Sequence, residues 1–360
     1  MRRKIVSKKI KDFDGRTIVI SDIHGNLDLY LKLLNKVNYD ENCDQLILLG
    51  DLVEKGPKNL DTLHKIMEQS KNDNVHVIMG NCDFIARNVL YSYRLGFLAQ
   101  VLSFRKKSLI HEMALNLGFK ILPDSDTSEI CLALRKNYLK ELSFLNDLPH
   151  VLEDSKRIYT HAALMDETTY GNDFSQVMTT PFFLNKAQFF NKQVIVGHLP
   201  VTEYCSHIAS FEPIYDAKHN VYSIDGGNMV KEGGQLNAII FEGNKTTIDC
   251  VDDLKEKKVI RDVPYKTQIP FFITWNHGQV KVMKRGENQS FVYCPYINRS
   301  FWVENEFLSV SNTEIKATDY TNYEIPLKKG DIVKIIFEYQ NKVQIKKNGI
   351  LGWTYKSNLE

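Results

Sequence analysis

Cysteine is sparse and shows no pairing pattern. Six residues, at positions 43, 82, 131, 205, 250 and 294, contain no C-x-x-C pair. That scatter argues against a disulfide-framed scaffold and against a structural zinc site. Long apolar runs are missing as well; no stretch reaches the roughly 20 residues of a membrane helix. The N-terminus, MRRKIVSKKIKDF, is basic but lacks the continuous apolar run of a signal peptide. These absences predict a cytoplasmic protein with no membrane association. Excess charge is absent too, with a net +2 over 360 residues. Residues 1–250 carry 29 basic and 31 acidic side chains, and 251–360 carry 17 and 13. Neither part is basic enough to predict nucleic-acid binding. What remains is an ordinary globular composition, 43% apolar and 25% charged, in a chain long enough for two domains.

The first 250 residues alternate strand-like and helix-like segments. TIVIS (17–21), QLILL (45–49) and VHVIM (75–79) are short β-rich runs. Between the first two, Leu27, Leu31 and Leu34, and Tyr30, Leu33 and Val37, recur at helical spacing. Residues 61–69 read likewise, and 84–147 are mostly helical. RIYT (157–160), QVIV (193–196) and VYSI (221–224) are further strands, followed by LNAIIF and TTIDCV around the turn-like GNK. This is βαβ logic, which places functional residues at the carboxyl ends of strands. VDDLKEKKVIRDVP, with few apolar anchors, reads as part of a charged linker over 251–268. Beyond it, 269–360 shows only short strands punctuated by Gly and Asn, an all-β, barrel-like region. A weak repeat runs through it: FWVENEFL (301–308) and GWTYKSNL (352–359) each place a Trp six positions before a Leu, Trp302/Leu308 and Trp353/Leu359.

The strand ends collect Asp22, His24, Asp51, Asn81, His161 and His198. Two carboxylates, three imidazoles and an amide oxygen form a mixed N/O donor set that suits Mn, Fe or Zn better than Ca or Mg. Asp22 and His24 are two apart, so on an extended strand end they point to one side. Six donors exceed the protein share of one ion with open positions. They suit two ions sharing a carboxylate, spaced about 3.5–4 Å to clamp both oxygens of a phosphoryl displacement. Taken singly, Asp22, His24 and Asp51 could merely cap turns, and His161 and His198 could be ordinary hydrogen-bonded histidines. The ordered set of six is what favours ligation. His64, His76, His111, His150, His207, His219 and His277 fit no such pattern, and Asp225-Gly226-Gly227 reads as a turn.

As a series, SDIHGN, LGDLVEKG, MGNCD, YTHAAL, VGHLP and SIDGGN resemble the successive motifs of the calcineurin-like metallophosphoesterases. The likeness is nearest to the phosphoprotein phosphatase superfamily, which includes bacterial serine/threonine phosphatases and symmetrical diadenosine tetraphosphatases. It spans about residues 15–250. It implies an α/β four-layer sandwich of two packed β-sheets flanked by helices, with a metallophosphoesterase domain over 1–250. It implies Asp22, His24 and a bridging Asp51 at one divalent metal, with Asn81, His161 and His198 completing the second. The implied chemistry is attack on phosphorus by a hydroxide bridging the two metals, without a phosphoenzyme.

The departures are as informative. Where relatives carry G-D-x-V-D-R-G, this chain has Glu54 and Lys55; lysine keeps the charge but not the bidentate fork of arginine. Where relatives carry G-N-H-E, it has Cys82. No arginine lies between His161 and His198, where relatives commonly place one on phosphate; Lys186, Lys192 and Arg87 are the candidates to replace it. Asp51, Glu54, Lys55 and Cys82 are therefore the candidate catalytic residues. Two readings of Cys82 stay open: an acid, since a thiol near cations can titrate close to neutrality, or a filler beside a leaving group stable enough to need no acid.

The tail, IPLKKGDIVKIIFEYQNKVQIKKNGILGWTYKSNLE, resembles the end of a bacterial Src-homology-3-like domain, clearest over 313–360, and the repeat raises a tandem pair. The resemblance implies a peptide or protein partner, with Tyr320, Tyr323, Tyr339 and Trp353 lining a groove. The expected function is a metal-dependent phosphomonoesterase of the protein serine/threonine phosphatase type, acting on a phosphorylated protein. Alternatives are a hydrolase of dinucleoside polyphosphates or other nucleotides, and a metal-binding scaffold with a peptide-binding tail.

Overall fold

The computed structural model describes residues 4–105, 107–311 and 314–360. The first three residues of the basic N-terminus, and position 313 where the tail resemblance begins, lie outside the described residues. The chain forms two compact units: Met1–Pro200 with Pro213–Asp252, and Val201–Glu212 with Asp253–Glu360.

The larger unit holds two sheets. The five-stranded sheet runs β11-β10-β2-β3-β4, with β2 Arg16–Ile20, β3 Asp44–Leu48, β4 Val75–Val77, β10 Leu236–Glu242 and β11 Lys245–Val251. The six-stranded sheet runs β1-β5-β6-β7-β9-β8, with β1 Ser7–Lys9, β5 Val151–Glu153, β6 Arg157–Thr160, β7 Gln193–Val196, β8 Ile214–Asp216 and β9 Val221–Ser223. Within the first, β2, β3 and β4 are mutually parallel; within the second, β6, β7 and β9 are. Strands such as β3, buried at every position, need both sheet faces covered, as in α/β sheets. One core cluster joins Val19, Ile47 and Ile239 of one sheet to Leu152, Tyr159 and Ile195 of the other. The two sheets therefore pack face to face, the arrangement expected from the sequence.

The helices follow their local signals. Helix α1, Leu27–Lys36, starts at Asn26, whose side chain accepts from the Leu29 N–H at 3.3 Å. Asp28 in its first turn and Lys36 in its last suit the helix dipole. Its buried face is Leu29, Tyr30, Leu33 and Leu34. Helix α2 spans Asn59–Gln69, and the stretch from 84 to 147 folds into α3 Ile85–Leu90, α4 Leu95–Phe104, α5 Leu109–Asn116, α6 Thr127–Asn137 and α7 Leu139–Asp147. A short α8, Phe174–Thr179, follows β6.

The smaller unit contains no α-helix among its described residues. Its strands are β12 Lys255–Lys258, β13 Phe272–Ile273, β14 Lys281–Arg285, β15 Gln289–Cys294, β16 Arg299–Glu304, β17 Leu308–Ser311, β18 Glu314–Ala317, β19 Tyr320–Thr321, β20 Ile332–Tyr339, β21 Lys342–Lys347 and β22 Ile350–Tyr355. The largest sheet is β12-β20-β21-β22, and β14-β15-β16 forms another. Three differences from the sequence reading stand out. First, Lys255–Lys258, read there as linker, is an edge strand paired with β20; Lys255, Glu256 and Lys258 are exposed, and charged side chains are a common way to blunt an edge. Second, Val201–Glu212, read as part of the first domain, packs in this unit. Third, Trp353, Tyr320 and Tyr339 are not exposed: all three are buried, Tyr320 and Trp353 contribute only to the wall of a cavity of about 420 Å³ beside Trp302, and the Trp353 indole N–H donates to the Thr321 carbonyl at 2.8 Å. Tyr323 is half-buried. The repeat has structural counterparts. Trp302 and Trp353 each sit fourth in a six-residue strand, β16 and β22, followed by one turn of 3-10 helix, 305–307 and 356–358, and then by Leu308 and Leu359.

Candidate active site

The strand ends of the larger unit bring the site together. Asp22 and His24 follow β2, Asp51 follows β3 and Asn81 follows β4; His161 follows β6 and His198 follows β7. Several of these positions have left-handed backbone: Asp22 (φ 55°), His24 (φ 51°), Asp51 (φ 50°), Glu54 (φ 78°), Lys55 (φ 74°) and His198 (φ 70°). Such a conformation costs a non-glycine residue about 1–3 kcal/mol and clusters at functional sites. Here it turns each side chain off its strand axis. Ladder-like bonds lock the turns: the His24 N–H donates to the Asp51 carbonyl at 2.8 Å and the Gly25 N–H to Leu52 at 2.9 Å. At Gly80 a Cβ would collide with the Asp51 backbone and carboxylate, and at Gly197 with Ser21 and the Asp22 carboxylate. Only glycine leaves room for the two acids there.

Asp51 is the centre of the cluster. Its Oδ1 lies 3.4 Å from His161 Nε2, and its Oδ2 lies 3.8 Å from His24 Nε2. His24 Nε2 is also 3.9 Å from Asp22 Oδ1. His161 Nε2 is 3.0 Å from Asn81 Oδ1, its Nδ1 is fixed by the Leu49 carbonyl at 2.7 Å, and its ring centroid is 5.0 Å from that of His198. Two donor trios share Asp51: Asp22, Asp51 and His161; and His24, Asp51 and Cys82. Within each, the donor atoms lie within 4.8 Å of one another. All six sequence-derived candidates thus converge, and Cys82 joins them.

These residues fit metal ions on their own chemistry. Asp22 Oδ1 is buried and has no hydrogen-bond partner among the described residues, a costly state for a carboxylate oxygen unless a cation faces it. Its other oxygen is held by the Ser21 hydroxyl and by the His198 N–H at 3.0 Å. Burial drives His24 down to about 3, with Lys55 adding to the effect, and His198 down to about 4, with His161 adding. Both imidazoles are therefore neutral at pH 7, the form that ligates. Burial lifts Asp22 to about 7, reinforced by the Asp51 carboxylate. For Asp51 burial also acts upward, but His161, His24 and Lys55 outweigh it and hold the acid below the ordinary range.

The residues that replace the family's phosphate and acid groups lie beside this cluster. Lys55 Nζ is 3.1 Å from His24 Nε2. Glu54 is fully buried; one oxygen accepts from the Leu109 N–H at 2.9 Å and the other pairs with Arg105 at 2.8 Å. The same guanidinium reaches to 4.0 Å from Cys82 Sγ. Burial pushes the Cys82 thiol well above its usual range, with Asp51 adding. Of the other cations considered from sequence, Lys192 is tied to Glu153 at 2.7 Å and to the Asp154 carbonyl at 2.6 Å. Arg87 reaches Asn146 at 3.2 Å, and Lys186 is exposed. A cleft of about 370 Å³ opens next to Asn81 and Cys82, walled by Phe84, Phe97, Phe174 and Met178 with Arg94 and Arg105.

Sequence reasoning missed several contributors. Asp83 accepts from the Leu52, Val53 and Gly80 N–H groups at 2.9, 3.3 and 2.8 Å, stapling the β3 and β4 turns together. Asn228 donates to the Ile23 carbonyl at 2.8 Å behind Asp22. Both lie in motifs already singled out, GNCD and DGGN, which was the available signal. Arg105 carried none. Asp225 does form a turn, accepting from the Gly227 N–H at 2.7 Å.

Residues 15–241 match the calcineurin-like phosphoesterase family, and the chain belongs to it. Among curated proteins it is similar to symmetrical bis(5'-nucleosyl)-tetraphosphatases. The Vibrio campbellii protein is 32% identical over 41% of this chain and 44% of its own. The Buchnera aphidicola protein is 37% identical over 27% and 31%, and that of Yersinia pestis 46% identical over 19% and 22%. The chain thus spans less than half the length of these relatives. Among solved structures it resembles a metallophosphoesterase from Sphaerobacter thermophilus, 14% identical over 66% of this chain and 88% of that one, TM-score 0.39. It also resembles a protein serine/threonine phosphatase from Saccharomyces cerevisiae, 10% identical over 70% and 84%, TM-score 0.42.

Proposed function

We propose that the protein is a metal-dependent phosphoesterase whose two divalent ions, Mn, Fe or Zn, are held by Asp22, His24, Asp51, Asn81, His161 and His198. The observation that carries this is the convergence of donors on both oxygens of Asp51, with a buried Asp22 oxygen that has no hydrogen-bond partner among the described residues. Bound there, the ions would supply a water acidified toward pH 7 and charge neutralisation for the phosphoryl oxygens. The chain's own residues do the rest. Asp51 stays anionic between the two donor trios. Lys55 and Arg105 present positive charge to the phosphoryl group, Arg105 taking the place of the missing family arginine and Glu54 holding it in position. Cys82, neutral because it is buried, fills the space between them.

For the substrate, the cleft favours a nucleoside polyphosphate over a phosphoprotein. Its aromatic walls suit a base, its two arginines suit further phosphates, and a polyphosphate leaving group departs without an acid at position 82. The names of the curated relatives point the same way. The test is parallel turnover of diadenosine tetraphosphate, a phosphoserine peptide and p-nitrophenyl phosphate with Mn(II). Preference for the dinucleotide by orders of magnitude is expected. Preference for the peptide would restore the protein-phosphatase reading, and bound metal without hydrolysis of any of the three would support the scaffold reading. We further propose a cytoplasmic setting, consistent with six free cysteines. The smaller unit we read as Src-homology-3-like, with its partner surface at the exposed Trp302, which packs on Phe291 at 5.4 Å.

A further inference from the structure

Within the smaller unit, one face of the β15–β16 ladder joins two aromatic rings to a carboxylate. Gln289 pairs with Glu304 and Phe291 with Trp302 across the two strands. The two-residue period of a strand turns all four side chains to the same side. All four line the cavity of about 420 Å³. Trp302 is exposed and packs on Phe291 with ring centroids 5.4 Å apart. Glu304 is buried, at 2% exposure. Its Oε1 accepts from the Gln289 amide at 3.2 Å, while its Oε2 is buried with no hydrogen-bond partner among the described residues. The Tyr320 hydroxyl, on the same wall, does not fill that place. Burial, with the Glu304 carboxylate adding, pushes its ionisation up, and it donates to the Trp302 carbonyl at 3.1 Å. Two cations also line the cavity, Arg299 and Lys342. Arg299 lies over the Phe271 ring at 5.2 Å and donates to the Ile269 carbonyl at 3.2 Å. Lys342, at the start of β21, is the like charge that an entering cation meets. The second acid on the wall, Glu324, is paired with Lys266 at 2.7 Å.

We infer that this cavity receives a primary ammonium group, the lysine side chain of a partner peptide, with Glu304 as the residue that binds it. The inference rests on the reading of Trp302 as the partner surface of the smaller unit and adds what that surface recognises. A buried carboxylate oxygen without a donor is costly, and a charge-assisted bond from an ammonium relieves that cost. Aromatic faces attract a cation. The four-carbon stem of lysine lies along the Trp302 and Phe291 rings while its head reaches Glu304. A guanidinium gains less, because its planar fork matches two acceptor oxygens and the Gln289 amide already holds Oε1. A quaternary ammonium has no N–H to give.

The test is calorimetric titration of the full chain with the blocked pentapeptide Gly-Gly-Lys-Gly-Gly and with counterparts carrying arginine, trimethyl-lysine or norleucine at the centre. The lysine peptide is expected to bind tightest. Glu304→Gln keeps the shape and removes the charge, and should weaken that peptide about tenfold or more, the scale of a hydrogen bond to a charged group. Its melting temperature should equal or exceed that of the wild type, since an unpaired buried charge is gone; a lower one would mean that the carboxylate is satisfied within the fold, and would overturn the inference. Lys342→Ala should bind the lysine peptide at least as well as the wild type, and weaker binding would also overturn it. If Trp302→Ala weakens the lysine peptide and Glu304→Gln does not, or if norleucine binds as well as lysine, the inference is overturned and the partner surface stands. If Trp302→Ala changes nothing, the partner-surface reading itself is wrong and the inference goes with it. No binding of the lysine peptide by the wild type overturns it, whether or not the free diamine cadaverine binds.

Discussion

Glu54 and Arg105 meet at 2.8 Å with the carboxylate fully buried and the arginine side chain 31% exposed. A cation is set 4.0 Å from the Cys82 sulfur and is held there by a buried acid. Arg105→Lys preserves the charge but not the planar fork. It should lower kcat/KM about tenfold or more while changing the melting temperature little. Arg105→Ala also leaves Glu54 buried without its cation, which costs about 3–5 kcal/mol, and calorimetry should show a large drop in melting temperature. Equal activity of the lysine variant and wild type would remove Arg105 from the phosphate-binding role.

Asp22 gives a prediction in the metal-free protein. Burial, reinforced by the Asp51 charge, lifts its folded-state pKa from the ordinary carboxylate value of 3.8 to about 7. A raised carboxylate pKa means the ionised form is disfavoured by folding, so this group's destabilisation grows as pH rises from about 4 to 7 and is absent below that window. Asp22→Asn removes it. In EDTA the variant should be more stable than wild type at pH 8, by an amount on the order of a few kcal/mol, and the gap should close toward pH 4. With saturating Mn(II) the order should reverse, since the variant loses a ligand. A gap independent of pH in EDTA would contradict the assignment.

Cys82 is expected to be dispensable as an acid. In the metal-free protein its thiol is buried and shifted upward, so it carries no titration near neutrality there and offers no thiolate to alkylating agents. Cys82→Ala should keep the shape of the pH–rate profile and the dependence on leaving-group pKa, at a cost of about 1 kcal/mol of stability for the lost sulfur. A steeper leaving-group dependence in the variant would instead assign proton transfer to the thiol.

The legible part of this protein was the part written locally. Asp22, His24, Asp51, Asn81, His161 and His198 each stand where a β-rich run breaks, so strand period and strand end together place them at the carboxyl ends of strands, which belong to the two packed sheets. The supporting residues were not legible, because their meaning depends on contacts across the chain. Arg105 ends an apolar helix with no motif around it and acts on Glu54, 51 residues earlier. Residues 201–212 have no periodicity, and their hydrogen-bond partners lie between Phe272 and Leu351. Lys255–Lys258 looked like linker because an exposed edge strand needs no apolar face.

The two repeat tryptophans show the same limit and provide the last test. Trp302 and Trp353 occupy equivalent places in their hairpins, and nothing adjacent in sequence distinguishes them. Yet Trp302 is 46% exposed, whereas Trp353 is 4% exposed and its indole is bonded to Thr321. The difference arises from neighbours distant in sequence: Phe307 packs edge-on against Trp353 at 5.6 Å, within an apolar cluster that also holds Tyr320 and Tyr339. Trp353→Ala should therefore cost about 3–5 kcal/mol, the usual range for emptying a buried aromatic site, and lower the melting temperature of the smaller unit sharply. Trp302→Ala should change it by about 1 kcal/mol or less, since surface substitutions away from packed features are usually mild. Phosphoesterase turnover of a small substrate should survive Trp302→Ala. Similar thermal losses for the two variants would mean that Trp302 is packed as deeply as Trp353, and would remove it as the aromatic available to a partner.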